Sequence, residues 1–122
     1  MKKVLLSLLV ISFSAFSFAK DGDVIKRSNC PNPGKSKLKA SPENGRIEVE
    51  YEIDNAVPGQ RWRVILKKGN RRILRAVRTV NGAQEIKVRK VTSNGPGAER
   101  IRAKAINLNT GERCNIALRF RS

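Results

Sequence analysis

Cys30 and Cys114 are the residues of this chain best suited to covalent chemistry. The sequence contains no histidine, so it lacks both the usual zinc ligand and the commonest general base. A lone cysteine pair without histidine is a poor metal or redox site, and in an exported protein such a pair is most simply a disulfide. We therefore predict a Cys30–Cys114 bond, which closes a long loop and stabilises the folded state by about 4 kcal/mol.

The carboxylates of the chain are not spaced like the acidic residues of a catalytic site. Glu48, Glu50 and Glu52 alternate along one strand face, the spacing of a solvated stripe rather than of two groups flanking a reacting bond. Asp21 and Asp23 lie in a segment expected to be flexible. Either they have no functional role or they make a loose contact with calcium. We expect no enzyme activity, no cofactor and no metal site.

The N-terminus has the layout of a secretory signal peptide. Lys2 and Lys3 precede an uncharged, apolar stretch over 4–18. Small residues at Ser17 and Ala19 then mark a cleavage site at the end of this stretch. The alternative is a transmembrane anchor, but the stretch is shorter than the about 20 residues needed and serines interrupt it. We predict cleavage near Ala19, a secreted or periplasmic protein, and no membrane span after cleavage.

The rest of the chain alternates apolar and polar residues in short runs, which is typical of strands. Residues 20–35 are predicted to form an irregular arm because Pro31 and Pro33 cannot join a regular strand ladder, and 36–122 to form one β-domain. Turn dipeptides such as Asn44–Gly45 separate the runs. The fold prediction is an all-β, antiparallel, seven-stranded sandwich of immunoglobulin or fibronectin-III type. Its predicted strands are 36–40, 46–53, 61–68, 71–79, 85–91, 100–108 and 113–120.

Positive charge dominates the mature chain, which carries 24 − 10 = +14 once the two signal-peptide lysines are removed. In such a sandwich the glutamates of the second strand pair with Lys87 and Arg89 of the fifth. The third, sixth and seventh strands form the other sheet, and their outward positions, which include Arg113, are basic. The predicted anion-binding residues are Arg61, Arg63, Lys67, Lys68, Arg71, Arg72, Arg100, Arg102, Lys104, Arg119 and Arg121.

An apolar pair is predicted in the middle of this basic surface. A two-residue turn at Gly69–Asn70 would set Ile65 opposite Leu74, making both candidates for contact with a partner. The alternative is that Val24–Ile25 of the N-terminal arm covers them. Arg75 is predicted to point inward on the fourth strand, which is typical of an edge strand.

Aromatic residues are scarce, and all three of the mature chain fall on predicted core positions. They are Tyr51, Trp62 and Phe120. Single-stranded nucleic-acid and sugar binders usually expose rings for stacking, so the sequence favours contact with ligands through charge alone.

Two segments resemble parts of small secreted bacterial proteins with an Ig-like domain, whose function is uncharacterised. These segments are 57–66, with its Gly-Gln-Arg-Trp strand entry, and 107–114, with its Thr-Gly-x-x-Cys-like turn. The resemblance implies export, a sandwich fold and a disulfide, and it implies no activity.

The predicted function is therefore an exported, non-enzymatic binding module. Its partner would be an anionic polymer (cell-wall polymer, lipopolysaccharide, extracellular nucleic acid or sulfated glycan) or an acidic protein. The alternative is a secreted protein-interaction module, such as an inhibitor or envelope accessory protein, using the mixed apolar and basic surface. An enzyme of unrecognised type is the third alternative. The basic surface itself could also be a solvated surface with no specific role.

Overall fold

A computed structural model of the protein describes residues 21–30 and 34–121, and the predicted signal peptide lies outside these residues. The regular structure in the described part is entirely β-strand. The strands are β1 (Val24–Asn29), β2 (Lys35–Glu43), β3 (Arg46–Asp54), β4 (Arg61–Lys68), β5 (Arg71–Thr79), β6 (Ile86–Ser93), β7 (Ala98–Asn107) and β8 (Arg113–Arg121).

The strands form two four-stranded antiparallel sheets. The first sheet has the order β1-β2-β3-β6 and the second has the order β5-β4-β7-β8. The all-β, antiparallel prediction is confirmed, and β5 lies at a sheet edge as expected. The eighth strand is β1, which pairs with β2 from Val24 opposite Ala40 to Asn29 opposite Lys35. The sequence predicts an irregular arm in this region, and the structure instead forms an edge strand.

The core lies between the two sheets and follows directly from the alternation of residues. On β3, Ile47, Val49, Tyr51 and Ile53 have no solvent exposure, whereas the residues between them are only half-buried. Trp62 on β4 and Phe120 on β8 enter the same core. All three aromatic residues of the described chain are buried, as the sequence predicts, and are unavailable for stacking on a ligand.

Cys30 and Cys114 form the predicted disulfide, with their Cα atoms 5.2 Å apart. Cys30 directly follows β1 in the first sheet and Cys114 lies near the start of β8 in the second, so the bond links the two sheets at one end, here called the disulfide end. Both residues are buried. A structural disulfide indicates an oxidising compartment such as the periplasm or the extracellular space.

The two segments that carry the family resemblance meet at the disulfide end. The Asn107 amide donates to Gln60 Oε1 at 2.8 Å, and the Arg61 backbone N–H donates to Asn109 Oδ1 at 2.8 Å. Asn107 Oδ1 also accepts from the N–H groups of Asn109 and Thr110, which is the geometry that lets an Asn side chain shape a turn. These residues are therefore accounted for by the packing of the β7–β8 turn against the start of β4.

A β-bulge changes the predicted register of the β4–β5 hairpin. Lys67 pairs with Arg72, but Leu66 pairs with Leu74, so Ile73 is the additional residue. A bulge inserts one residue in one strand and reverses the faces of those that follow. As a result Ile65 lies opposite Arg75 rather than opposite Leu74.

Burial of Tyr51 predicts a specific response to alkali. Desolvation raises the pKa of Tyr51 from 10.0 to about 12, so the folded state holds the phenolic proton more tightly than the unfolded chain does. This contribution to stability is complete below pH 10.0 and is lost as pH rises through about 12. Because the chain has one tyrosine, ultraviolet absorbance of tyrosinate reports this group alone. A titration midpoint near the ordinary value, or the same alkaline loss of stability in Tyr51→Phe, would contradict the prediction.

Candidate anion-binding face

The outer surface of the second sheet carries cations on all four of its strands, and we call it the basic face. Side chains of directly paired residues project from the same side of a sheet, so the register shows which residues share this surface. Its cations are Arg61, Arg63, Lys67, Arg72, Arg75, Arg100, Arg102, Lys104, Arg113, Arg119 and Arg121. No acidic residue of the described chain shares their rows.

The positive charge is densest at the end of the second sheet opposite the disulfide. Lys67 pairs with Arg72 on one side and with Arg102 on the other, which places three cations side by side across β5, β4 and β7. Arg100 and Arg119 form the adjoining pair on β7 and β8. Directly opposed residues have Cβ atoms about 5 Å apart, and like charges at that separation destabilise a sheet. The arrangement therefore carries a folding cost.

Arg102 is the one cation of this cluster that the structure ties to the protein. Its Nη2 donates to the backbone carbonyl of Gly69 at 3.0 Å, which holds the guanidinium against the β4–β5 turn. Its Nε is buried and makes no hydrogen bond. The guanidinium is positioned by a neutral carbonyl, so its charge is not neutralised.

Lys68 is a correction to the predicted anion-binding set. It continues the alternation of β4 and points between the sheets, where it is 8% exposed. Its Nζ donates to the carbonyl and the hydroxyl of Ser93 at 2.5 and 2.9 Å and lies 3.8 Å from Glu99 Oε1. Glu99 Oε2 in turn accepts from the Gly95 N–H at 3.0 Å. Lys68 is therefore a structural residue that joins β4 to β6 and β7.

Two arginines of β5 also differ from the prediction. Arg71 is exposed but pairs with the inward-pointing Lys68, so it lies at the rim of the sheet rather than on the basic face. Arg75 is exposed and lies opposite the outward Ile65, because the bulge at Ile73 changes its face. The predicted inward orientation of Arg75 is wrong, and this residue adds to the basic face.

The predicted apolar centre is only partly present. Ile65 is half-buried on the basic face, whereas Leu74 pairs with inward Leu66 and packs against the core. Val77, 40% exposed, and the half-buried Ile106 flank Arg63 in the adjoining row and were not predicted. Val24 packs against the core and its strand pairs with β2, so the arm does not cover this region as the alternative supposed.

The first sheet has a contrasting outer surface in which both signs of charge alternate and pair. The glutamates of β3 face lysines on β2 and cations on β6. The sequence predicts the pairing with β6. The ion pairs are Lys37–Glu52 at 3.6 Å, Lys39–Glu50 at 3.8 Å, Lys87–Glu52 at 4.0 Å and Arg89–Glu48. Ion pairs with a solvent-exposed cation of this kind add little to stability. The outer surface of the first sheet thus pairs its glutamates with cations, whereas the cations of the basic face have no carboxylate in their rows.

Glu52, Asp54 and Glu85 form the one group of carboxylates in the described chain close enough together to hold a cation. Burial raises the pKa of Glu52, and the neighbouring Asp54 raises it further. Lys37 and Lys87 already pair with Glu52 and oppose that shift. Two lysine ammonium groups therefore already balance the charge of the Glu52 carboxylate.

Comparison with protein families, curated proteins and solved structures gives no match to this chain. Inferences about the site therefore rest on its geometry and charge. Within residues 21–30 and 34–121 there is no helix that could cross a membrane.

Proposed function

We propose that this chain is an exported, non-enzymatic protein that binds anionic polymers through the basic face. The observation that carries the proposal is the separation of charge between the two sheets. Acidic residues interleave with cations on the first sheet and are missing from the outer surface of the second within the described residues. Because crowded like charges weaken folding, a binding surface explains the arrangement better than solubility does.

The mode of binding follows from what the basic face offers. Long arginine and lysine side chains can neutralise phosphate, sulfate or carboxylate groups along a polymer. The buried positions of Tyr51, Trp62 and Phe120 leave no ring among the described residues for stacking on bases or sugars. The basic face would therefore recognise the spacing of charges along the polymer. We expect binding to weaken steeply as the salt concentration increases.

We also propose that the domain is an immunoglobulin- or fibronectin-III-like sandwich with one additional N-terminal strand. The order β2-β3-β6 facing β5-β4-β7-β8 supports this, because the fourth of these seven strands pairs with the third as in fibronectin type III domains. Export by a signal peptide over 1–19 is consistent with the disulfide. A polymer ligand would accordingly be one found outside the cytoplasm.

Matched neutralisations on the two sheets test the proposal. One variant carries Arg63→Gln, Lys67→Gln and Lys104→Gln on the basic face, and the other carries Arg27→Gln, Lys35→Gln and Lys90→Gln on exposed positions of the first sheet. Both lose the same charge. We expect the first to leave a heparin column at lower salt, with the slope of log affinity against log salt less steep by about 2, and the second to stay close to wild type.

Two results would overturn the proposal. Equal losses in both triple variants would show that net charge alone causes retention. Wild-type retention on heparin and on DNA that does not change with salt would show that binding is not to a polyelectrolyte.

A second candidate function, a protein-interaction module, is favoured by the apolar side chains of Ile65, Val77 and Ile106 on the basic face. Val77 is 40% exposed, and Arg63 lies between Val77 and Ile106. A contact centred on these side chains would survive high salt, because apolar burial is not screened. A pull-down from the native envelope at low and high salt therefore separates the two functions.

A further inference from the structure

Within the basic face, one groove is built differently from its surroundings. It lies over Ala117 on β8, whose short side chain stands directly opposite the long side chain of Arg102. A recess of about 290 Å³ lies on one side of Ala117 and another of about 420 Å³ on the other. Arg100 and Ala117 line both recesses, so the two adjoin at these residues, and we call them together the Ala117 groove.

The side chains around this groove are basic or neutral. The first recess is bordered by Arg100, Arg102 and Lys104 with Asn115, and the second by Arg100, Arg119 and Lys26. No carboxylate is among the described residues that line either recess. The groove thus combines a depression with cations on several sides, which an exposed lysine or arginine alone does not provide.

A larger recess on the first sheet shows by contrast what the Ala117 groove offers. It measures about 710 Å³ and is lined by Arg27, Lys35 and Lys37, but also by Asp54. Lys37 is already paired with Glu52. A bound anion there would meet a carboxylate and a neutralised lysine, so size alone does not make that recess an anion site.

We propose that the groove over Ala117 holds one tetrahedral oxyanion group, a sulfate or phosphate ester, of the bound polymer. The inference rests on the proposed function and names the chemical group that the basic face selects. A tetrahedral oxyanion presents oxygens in several directions and can accept from Arg100, Arg119 and Lys26 together, and guanidinium forks suit such groups. A planar carboxylate presents two oxygens in one plane and would engage fewer of these cations.

The groove also places the oxyanion within a line of charges. Arg100, Arg102 and Lys104 occupy alternate positions of β7, and residues two apart on a strand are about 6.7 Å apart. A polymer lying along β7 would therefore meet a cation at each step, with the Ala117 groove beside the middle of this line.

Filling the groove without changing charge tests the inference. Ala117→Leu places a larger side chain in the depression, and Thr79→Leu, on the same sheet surface at the disulfide end, is the matched control. The probes are a heparin tetrasaccharide for sulfate, tripolyphosphate for phosphate and polyglutamate for carboxylate, with affinity measured by calorimetry. We expect Ala117→Leu to weaken binding of at least one oxyanion probe about tenfold. Whether the heparin tetrasaccharide or tripolyphosphate loses affinity then shows whether the groove holds a sulfate or a phosphate ester. Binding of polyglutamate, and of all three probes by Thr79→Leu, should change less than twofold.

The outcomes distinguish the groove from the proposed function. If Ala117→Leu binds both oxyanion probes like wild type while the basic-face triple variant loses heparin retention, the groove inference is wrong and the proposed function stands. If the triple variant also retains wild-type binding, the proposed function fails. Should Ala117→Leu not fold, as judged by circular dichroism, Arg119→Gln compared with Arg61→Gln replaces it, and equal losses in these two variants would overturn the inference.

Discussion

Replacing both Cys30 and Cys114 by alanine is expected to lower the free energy of unfolding by about 4 kcal/mol. The two residues are separated by 84 positions, and a long closed loop restricts the unfolded chain strongly. The bond also joins β1 to the second sheet at the disulfide end, so its loss frees the N-terminal edge strand. Urea denaturation followed by Trp62 fluorescence measures the change.

Reduction provides the control for this disulfide prediction. Wild-type protein unfolded in the presence of a reductant should match the double alanine variant, and the variant should not respond to the reductant. Both cysteines are almost fully buried, so reduction of the native protein should be slow until it unfolds. A loss of less than about 1 kcal/mol would contradict the prediction that the bond stabilises the fold by restricting a long loop of the unfolded chain.

Lys68→Ala is expected to destabilise the fold by about 3 kcal/mol, although lysine is usually a surface residue. The substitution removes both hydrogen bonds to Ser93 and leaves Glu99, 19% exposed in its side chain, without its cation. A partly buried carboxylate that loses its partner carries an uncompensated desolvation cost. Thermal and urea unfolding give the change in stability.

Lys67→Ala is the matched control, since it removes the same side chain one residue earlier on the opposite face of β4. Lys67 has Arg72 and Arg102 as cross-strand neighbours, so its removal relieves repulsion and should leave stability unchanged or slightly higher. Polyanion binding should respond the other way, weakening in Lys67→Ala and remaining close to wild type in folded Lys68→Ala. Equal stability of the two variants would contradict the assignment of Lys68 as a structural residue.

The alternation of apolar and polar residues was sufficient to predict most of this fold. It located the strands that form β2 to β8 and placed Tyr51, Trp62 and Phe120 in the core. Such runs are informative because a strand with one buried face places an apolar residue at every second position. The expected sandwich topology then assigned β4, β7 and β8 to one sheet. The disulfide followed from a lone cysteine pair in a sequence without histidine and with an expected export signal.

The N-terminal strand β1 could not be predicted by the same reasoning. Its burial pattern is irregular, since Val24 and Ile25 are half-buried and the four residues that follow are exposed. An edge strand of this kind forms by pairing its backbone with β2, and backbone pairing leaves no side-chain period to detect.

The errors at the candidate site have separate causes. The bulge at Ile73 lets both Ile73 and Leu74 pack against the core and shifts the alternation of the residues that follow. The sequence does not reveal this bulge, so the predicted faces of Leu74 and Arg75 are both wrong. Lys68 was different, because its even position in β4 already indicated an inward side chain. Its charge nevertheless favoured a place among the anion-binding residues. Its partners Ser93 and Glu99 lie far away in the sequence, so they gave no local sign of a buried lysine.

Backbone-amide NMR during titration with a heparin hexasaccharide locates the ligand on the protein and so tests whether the basic face binds it. We expect chemical-shift changes at low salt confined mainly to β4, β7 and β8, largest around Arg100, Arg102 and Ala117, and lost as salt increases. Shifts centred on β2, β3 and β6, or an unchanged spectrum at low salt, would contradict it.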